Sequence, residues 1–365
     1  MKILDWYIIK KFLTTFFFAI FLFAIISVVI DVGEKTDDFV KSGWNFSQIV
    51  MNYYIAFIPH ILALLFPLFV FISVIFFTSK MAERVEIIAI LASGTSFRRI
   101  LRPYFITSFA LAALLYYLSG YVIPIADVKV AYFEDVYVHG NSSYEQLVNR
   151  QKIQYKRIDS FSYAGLRNYD TTTKKGGPFF LYKIKDGEMN YNLRAEKISW
   201  DTTHHQNKWK LENIFERNID GIHEKVKLTP SRIVNYNFMP SDLRYDEYAQ
   251  NKMTTPELER YIYLEKLRGG EEVNTYLIEL YRRIATPVSV ILLTMIGAII
   301  ASKKVRGGSG AHLAIGFVIA AAFIIMDRFS TIFSTKGNLP PIVASWIPNI
   351  TFMVVAIYLY KKAPK

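Results

Sequence analysis

Long apolar runs alternate with short charged pieces along the chain, and that rhythm breaks once, in the middle. Phe12–Ile30 is 19 residues without a formal charge, enough helix to cross about 30 Å of hydrocarbon. Tyr53–Phe77, Pro103–Ala126, Ile284–Ala301, Ala311–Phe333 and Ile342–Tyr360 repeat the pattern, so six spans are predicted. A signal peptide also begins basic and then apolar, but this first run is too long for one and no small-x-small cleavage site follows it, so it reads as a retained span. From Asp127 to about Gln250 the apolar blocks give way to period-two alternation, in KIQYKRIDSFSYAG, FFLYKIKDGEMNYNLRAEKISW, KWKLENIFERNID and EKVKLTPSRIVNYNF. Broken at Asp186-Gly187 and Asp220-Gly221, these segments predict antiparallel hairpins that build one β-sandwich or an open jelly roll. An amphipathic helix over 251–275, begun at Thr255-Pro256 and stopped at Gly269-Gly270, is expected to lie on the membrane surface. The fold class is therefore an α-helical membrane protein, three spans plus three, with an inserted all-β domain. Its pieces are residues 1–126, 127–250 and 251–365.

Charge placement orients this arrangement. Lys2, Lys10 and Lys11 precede the first run, Lys80, Arg84, Arg98, Arg99 and Arg102 separate the second from the third, and Lys303, Lys304 and Arg306 follow the fourth. Lys361, Lys362 and Lys365 close the last, whereas Asp31–Ser47 has no excess of Lys or Arg. Basic residues mark the cytoplasmic face, so both termini are expected there and the β domain on the other side of the membrane. The net charge of +12 thus orients spans and meets anionic lipid, and no nucleic-acid partner is expected. A chain that is 52% hydrophobic and 16% aromatic agrees with membrane residence. With no cysteine, the β domain has only packing to hold it together, and thiolate metal sites are excluded.

The charged interlude TSKMAERVEIIAILASGTSFRRILRP, residues 78–103, predicts a cytoplasmic helix over about 80–92. Ser79 is its candidate N-cap and Ser93-Gly94 its stop. At roughly 100° per residue, Met81, Val85, Ile88, Ala89 and Ala92 share one side, suited to the bundle. Glu83, Glu86 and Ile90 share the other, two carboxylates around one apolar residue, which would dock a basic groove of a soluble partner. A merely solvated loop is the competing reading.

AERVEIIAILASGTSFRRI resembles the cytoplasmic coupling helix of the LptF/LptG permeases, the membrane subunits of the ABC exporter that extracts lipopolysaccharide from the inner membrane. The resemblance covers nearly the whole chain: LDWYIIKKF, DDFVKSG, IATPVSVILL, FIIMDRF and LPPIVASWIPN occur in the family's order, with the LptG branch fitting somewhat better. It implies a jelly-roll β domain whose open edge continues a periplasmic bridge. It implies partners too: a cytoplasmic LptB-like ATPase dimer, a homologous permease, an LptC-like single-span subunit, an LptA-like bridge protein, and lipopolysaccharide itself. By that match Glu86 falls on the carboxylate taken to contact the ATPase. Lys41 matches a basic position of the family, while the family's other first-span lysine stands here as Glu34, beside Lys35.

No Gly-rich phosphate loop closed by Lys-Ser/Thr occurs, and Gly307-Gly308-Ser309-Gly310 lacks the lysine; no Gly-x-Ser-x-Gly elbow occurs, and His223-Glu224 lacks a second histidine. The chain therefore reads as no enzyme itself, dependent on a partner ATPase and without a cofactor. His204-His205 lacks a third ligand at metal spacing, and Asn141-Ser142-Ser143 matches a glycosylation acceptor by pattern only. Lys35, Lys41 and Arg328, at the expected depth of the outer leaflet, are candidate cations for lipid head-group phosphates. For Arg328 the alternative is a pair with Asp327 or Asp31. Two further functions compete: a proton-driven secondary transporter working through His60 and Asp327, and a non-transporting anchor for the β domain. For His60 a plain hydrogen bond near the helix end is the simpler expectation.

Overall fold

The computed structural model describes residues 3–138, 154–159, 161–170, 173–185, 187–201, 208–221, 223–236, 238–240, 249–268, 273–303 and 308–363. Asn141-Ser142-Ser143, His204-His205, Gly269-Gly270 and Gly307 lie outside them. The chain forms two compact units, Met1–Glu134 with Gln250–Glu259 and Asn274–Lys365, and Asp135–Ala249 with Arg260–Val273.

The first unit is helical. Its long elements are α1 (Ile3–Ser42), α2 (Phe46–Glu83) and α4 (Phe97–Val138), with the short α3 (Glu86–Ala92) between the last two. After the β region come α5 (Thr255–Arg268), α6 (Val273–Ala301), α7 (Gly308–Thr335) and α8 (Pro341–Lys361). Among the described residues, α1, α2, α4, α6, α7 and α8 are long and apolar enough to cross a membrane. The six spans and the antiparallel insertion are those the pattern predicts.

Two spans overrun their predicted ends. The polar piece 31–47, beyond the predicted end of the first span at Ile30, is helical through Ser42, because its charges find partners along the bundle: Asp31 accepts from Tyr53 and Tyr54 at 3.1 and 3.2 Å. The connection shrinks to Gly43, in the left-handed region at φ 66°, then Trp44 and Asn45. Asn45 and Gln48 then start α2 with a capping box, each side chain accepting the other's backbone N–H at 3.0 Å. Likewise α4 passes the expected boundary at 126/127 and continues to Val138, with Asp127 held by His60 at 2.6 Å. The helix expected over 251–275 begins at Thr255 as anticipated but is preceded by a 3₁₀ turn, Ala249–Lys252.

Phe12, Phe16, Val70, Val74 and Tyr104 centre one core, built by α1, α2 and α4 with help from α6. Phe71, Ile75, Leu293, Ile296, Ala320 and Phe352 centre another, among α2, α6, α7 and α8. Glycine makes the second possible: a Cβ on Gly297 would stand 3.1 Å from the Phe71 ring, and one on Gly316 would overlap Ile75. By contrast Phe17, Phe18 and Phe21 on α1, and Phe317, Val318 and Phe329 on α7, are exposed.

The second unit is one antiparallel sheet of seven strands: β1 (Gln154–Arg157), β2 (Ser162–Leu166), β3 (Lys175–Gly176), β4 (Phe179–Lys185), β5 (Glu188–Asp201), β6 (Lys208–Asp220) and β7 (His223–Val234). The spatial order is β1-β2-β4-β5-β6-β7, and β3 pairs with the far end of β5. Hairpin turns fall at Gly187 and Gly221, both at positive φ, where the sequence places them. One face is buried: Leu166, Phe179, Leu181, Leu193 and Ile198 pack with Trp209 and Phe238. Trp209 Nε1 donates to the Phe238 carbonyl at 2.9 Å, so residues after β7 pack on the buried face of the sheet. Along β5 and β6 the buried positions run Leu193, Ala195, Ile198 and Trp209, Leu211, Ile214. The inward phase thus slips by one where Glu196 faces Asn213, a left-handed residue at φ 52°, bending the sheet around its core.

Candidate functional site

The segment 78–103 contains two helices rather than one. Ser79 is not a cap, because α2 runs through it to Glu83 and its hydroxyl donates to the Phe76 carbonyl. The break comes at Val85, whose φ of 64° is left-handed, and only Glu86–Ala92 follows as α3, closed at Ser93 and Gly94 (φ 82°) as expected. One left-handed residue resets the helical phase, and so the predicted faces exchange. Met81 is buried as expected, at the end of α2. Val85 and Ile88 are exposed, as are Ala89 and Ala92, while Ile87 is buried and Ile90 and Leu91 pack on the core. Of the predicted docking trio, only Glu83 is exposed outward.

Glu86 turns back onto α1. Its carboxylate accepts from the Tyr7 hydroxyl at 2.7 Å and pairs with Lys11 Nζ at 3.2 Å. Partial burial works against the charge, but the Tyr7 and Lys11 donors prevail and hold the Glu86 carboxyl below the usual carboxylate range. A second tie lies alongside: Arg99, in the first turn of α4, grips the nearly buried Asp5 with two parallel bonds of 2.7 Å. The short helix is thereby fastened on both flanks to the start of α1.

The three candidate lipid cations differ in their surroundings. Lys35 is enclosed: its ammonium reaches Tyr53 Oη at 2.6 Å, Glu134 at 2.7 Å and Asp31 at 3.2 Å. Three N–H groups meet three partners, so this lysine binds α1 to α2 and α4 and offers no free donor to a phosphate. Lys41 is exposed, with Asp38 at 2.6 Å. Arg328 takes neither expected partner, since Asp327 pairs with Arg282 at 2.6 Å and Asp31 belongs to the Lys35 group. The two groups of the proton-relay reading, His60 and Asp327, are each held in an ion-pair contact, with Asp127 and Arg282.

The profile described as "Lipopolysaccharide export system permease LptF/LptG" matches residues 6–362. The chain belongs to the LptF/LptG family. Two curated relatives agree, each 19% identical over 364 residues, covering 98% of this chain and 97% of theirs: the lipopolysaccharide export system permease protein LptG of Escherichia coli strain K12, and that of E. coli O6:H1. An LptF/LptG permease is a component of an export system, and the LptG naming agrees with the branch that the sequence favoured.

Within this LptF/LptG chain, sequence reading missed four site residues. Tyr7, Lys11 and Asp5 look like ordinary membrane-flanking residues, and only the fold brings them to Glu86 and Arg99. Arg283, not singled out in the sequence, is 3% exposed: it bonds Glu279, Thr255 Oγ1 and the carbonyls of Gln250 and Met253, between 2.8 and 3.2 Å. It nails the approach to α5 onto α6. Its signal in the sequence was position, immediately before the fourth apolar run that begins at Ile284, where an unpaired cation is costly.

Proposed function

We propose that this chain is a transmembrane subunit of a lipopolysaccharide exporter, working with a homologous permease and driven by a soluble ATPase on the cytoplasmic side. The observation that carries the reading is the match to the permease family over residues 6–362, on a chain with six spans and no phosphate loop of its own. On this reading α3 is the lever. Its docking face is the exposed set Glu83, Ile88, Ala89 and Ala92, a small apolar patch beside one carboxylate, while Glu86 passes the displacement to α1 through Lys11. Ile90 supports the lever from behind. Export energy then arrives at the helix whose apolar face is most open, and the lipid passes to the β domain, whose edge strand β7 is exposed along its length and suits strand addition by an LptC-like or LptA-like bridge. Lys41 and Arg328 remain the cations for head-group phosphate, and the β domain faces the periplasm.

Copurification and transport separate the roles. Ile88→Asp should release the ATPase, whereas Glu86→Lys should keep the ATPase bound and lose lipid-stimulated turnover. An Ile88→Asp variant that retains both the ATPase and export would remove α3 from the interface.

A further inference from the structure

We propose that the helical unit holds, inside a single chain, a binding site for the head and the first segment of one acyl chain of an anionic amphiphile, lined by α2, α6, α7 and α8. This goes beyond the export reading, with which it shares Arg328: the site lies within one permease, and its test needs neither a partner nor export.

The cavity there has a volume of about 180 Å³. Protein cavities of roughly 150 Å³ accept a benzene ring, so this one takes a hydrocarbon segment and not a whole lipid. Its walls are graded. Leu68, Leu293 and Ala320 line one end, and Arg282, Asp327 and Arg328 line the other. Arg328 and Ala320 are eight positions apart on α7, about 12 Å of helix, which gives the space the long axis and the polarity of a fatty chain with a charged head. Leu64 and Ile324, both exposed on the bundle exterior, also line it, so the opening faces hydrocarbon sideways and a chain enters from the bilayer.

Two polar groups ask for a ligand. Arg328 makes no ion pair among the described residues, because the neighbouring carboxylate of Asp327 is already held by Arg282. A guanidinium within a span favours an anion at that height. Asn349 is 4% exposed; its amide donates to the Ala285 carbonyl at 2.8 Å, and its Oδ1 has no hydrogen-bond partner. Asn349 lines the cavity and its oxygen accepts, so it suits a donor near the anionic head, either the P–OH of a phosphate monoester or a water carried in with a carboxylate. An apolar tail, an anionic oxygen and a nearby donor together describe an acyl amphiphile.

The test uses the full-length chain in phosphatidylcholine nanodiscs, with palmitate bearing a diazirine on its chain as probe and a diazirine-acyl phosphatidate in parallel. Adducts mapped by mass spectrometry should concentrate on Leu68, Leu293 and Phe323 and be competed by unlabelled palmitate. Arg328→Gln should weaken palmitate labelling by about tenfold, the loss of one charge-assisted contact, and leave the matching fatty alcohol unchanged. Leu65→Trp and Ala320→Phe should each block labelling by filling the space; Leu65, at the wall, serves if Ala320→Phe does not insert. Labelling by palmitate alone identifies the free acid and labelling by phosphatidate a phospholipid tail, either of which supports the site. Adducts spread over the outer faces of α1 and α7 and indifferent to Leu65→Trp overturn it, as does an equal loss for the alcohol.

Discussion

Glu86 and Lys11 form a partly exposed pair, worth about 0.2–1 kcal/mol to stability, so its weight lies in transmission rather than folding. Exchanging the charges in Lys11→Glu with Glu86→Lys should restore part of the lipid-stimulated ATPase activity that either single change removes. The pH response follows from the lowered carboxyl. A group whose native pKa lies below its unfolded one contributes above the unfolded value, near 4.3 for Glu, and loses that contribution as pH falls through the native value. Amide-exchange protection of residues 87–92, corrected for intrinsic rate, should hold steady down to about pH 5 and drop below about pH 4. Arg283 is the opposite case, buried and multiply bonded. Arg283→Met leaves Glu279 and two carbonyls without their donor, and should cost about 3 kcal/mol or more, seen as earlier thermal unfolding and new protease cleavage at 249–255.

For elements, the decisive features are where helices break and how closely they approach. Val85 is a β-branched residue in a left-handed conformation, a strain of about 1–2 kcal/mol. Val85→Gly should keep the break and raise the melting temperature slightly. Val85→Pro, with φ locked near −65°, cannot form it and should abolish ATPase coupling while the spans still insert. Gly316 is where α7 meets Ile75 of α2. Gly316→Val should wedge the two apart at a cost of about 1–3 kcal/mol, read as a lower melting temperature in detergent. The existence of the spans and of the long strands was legible, since six apolar runs and four alternating segments suffice to name them, whereas the two-residue β3 lies outside those segments. Element ends were not. The 31–42 stretch reads only as a polar piece between two spans until Tyr53, Tyr54 and Glu134 are known to stand beside it.

The whole molecule leaves α1 and α7 as its barest apolar faces. On the proposed reading these meet a second six-span chain. Because the sequence has no cysteine, single-cysteine variants need no background removal: Phe18→Cys and Phe329→Cys should crosslink to a partner permease in native membranes, while Phe71→Cys, buried within the chain, should not. Protection of both outward positions by lipid alone would count against a paired permease.

Sequence alone determined the class of this protein. Hydrophobic run length, the alternation between Asp127 and Gln250, and basic flanks are local quantities that solvent transfer converts directly into spans, strands and a predicted orientation. It also placed both hairpin turns, because Gly187 and Gly221 answer a local backbone need. Tertiary structure alone decided which side of α3 faces outward, since a single left-handed residue rotates everything after it and no periodicity reveals that. It likewise decided which charges are free. Lys35 and Arg328 look alike as letters near the end of a span, yet one is surrounded by Asp31 of its own helix and by a carboxylate and a phenol from distant helices, while the other lost its neighbour to Arg282. Ion pairing depends on distances across the bundle, and the order of residues along one helix does not contain them.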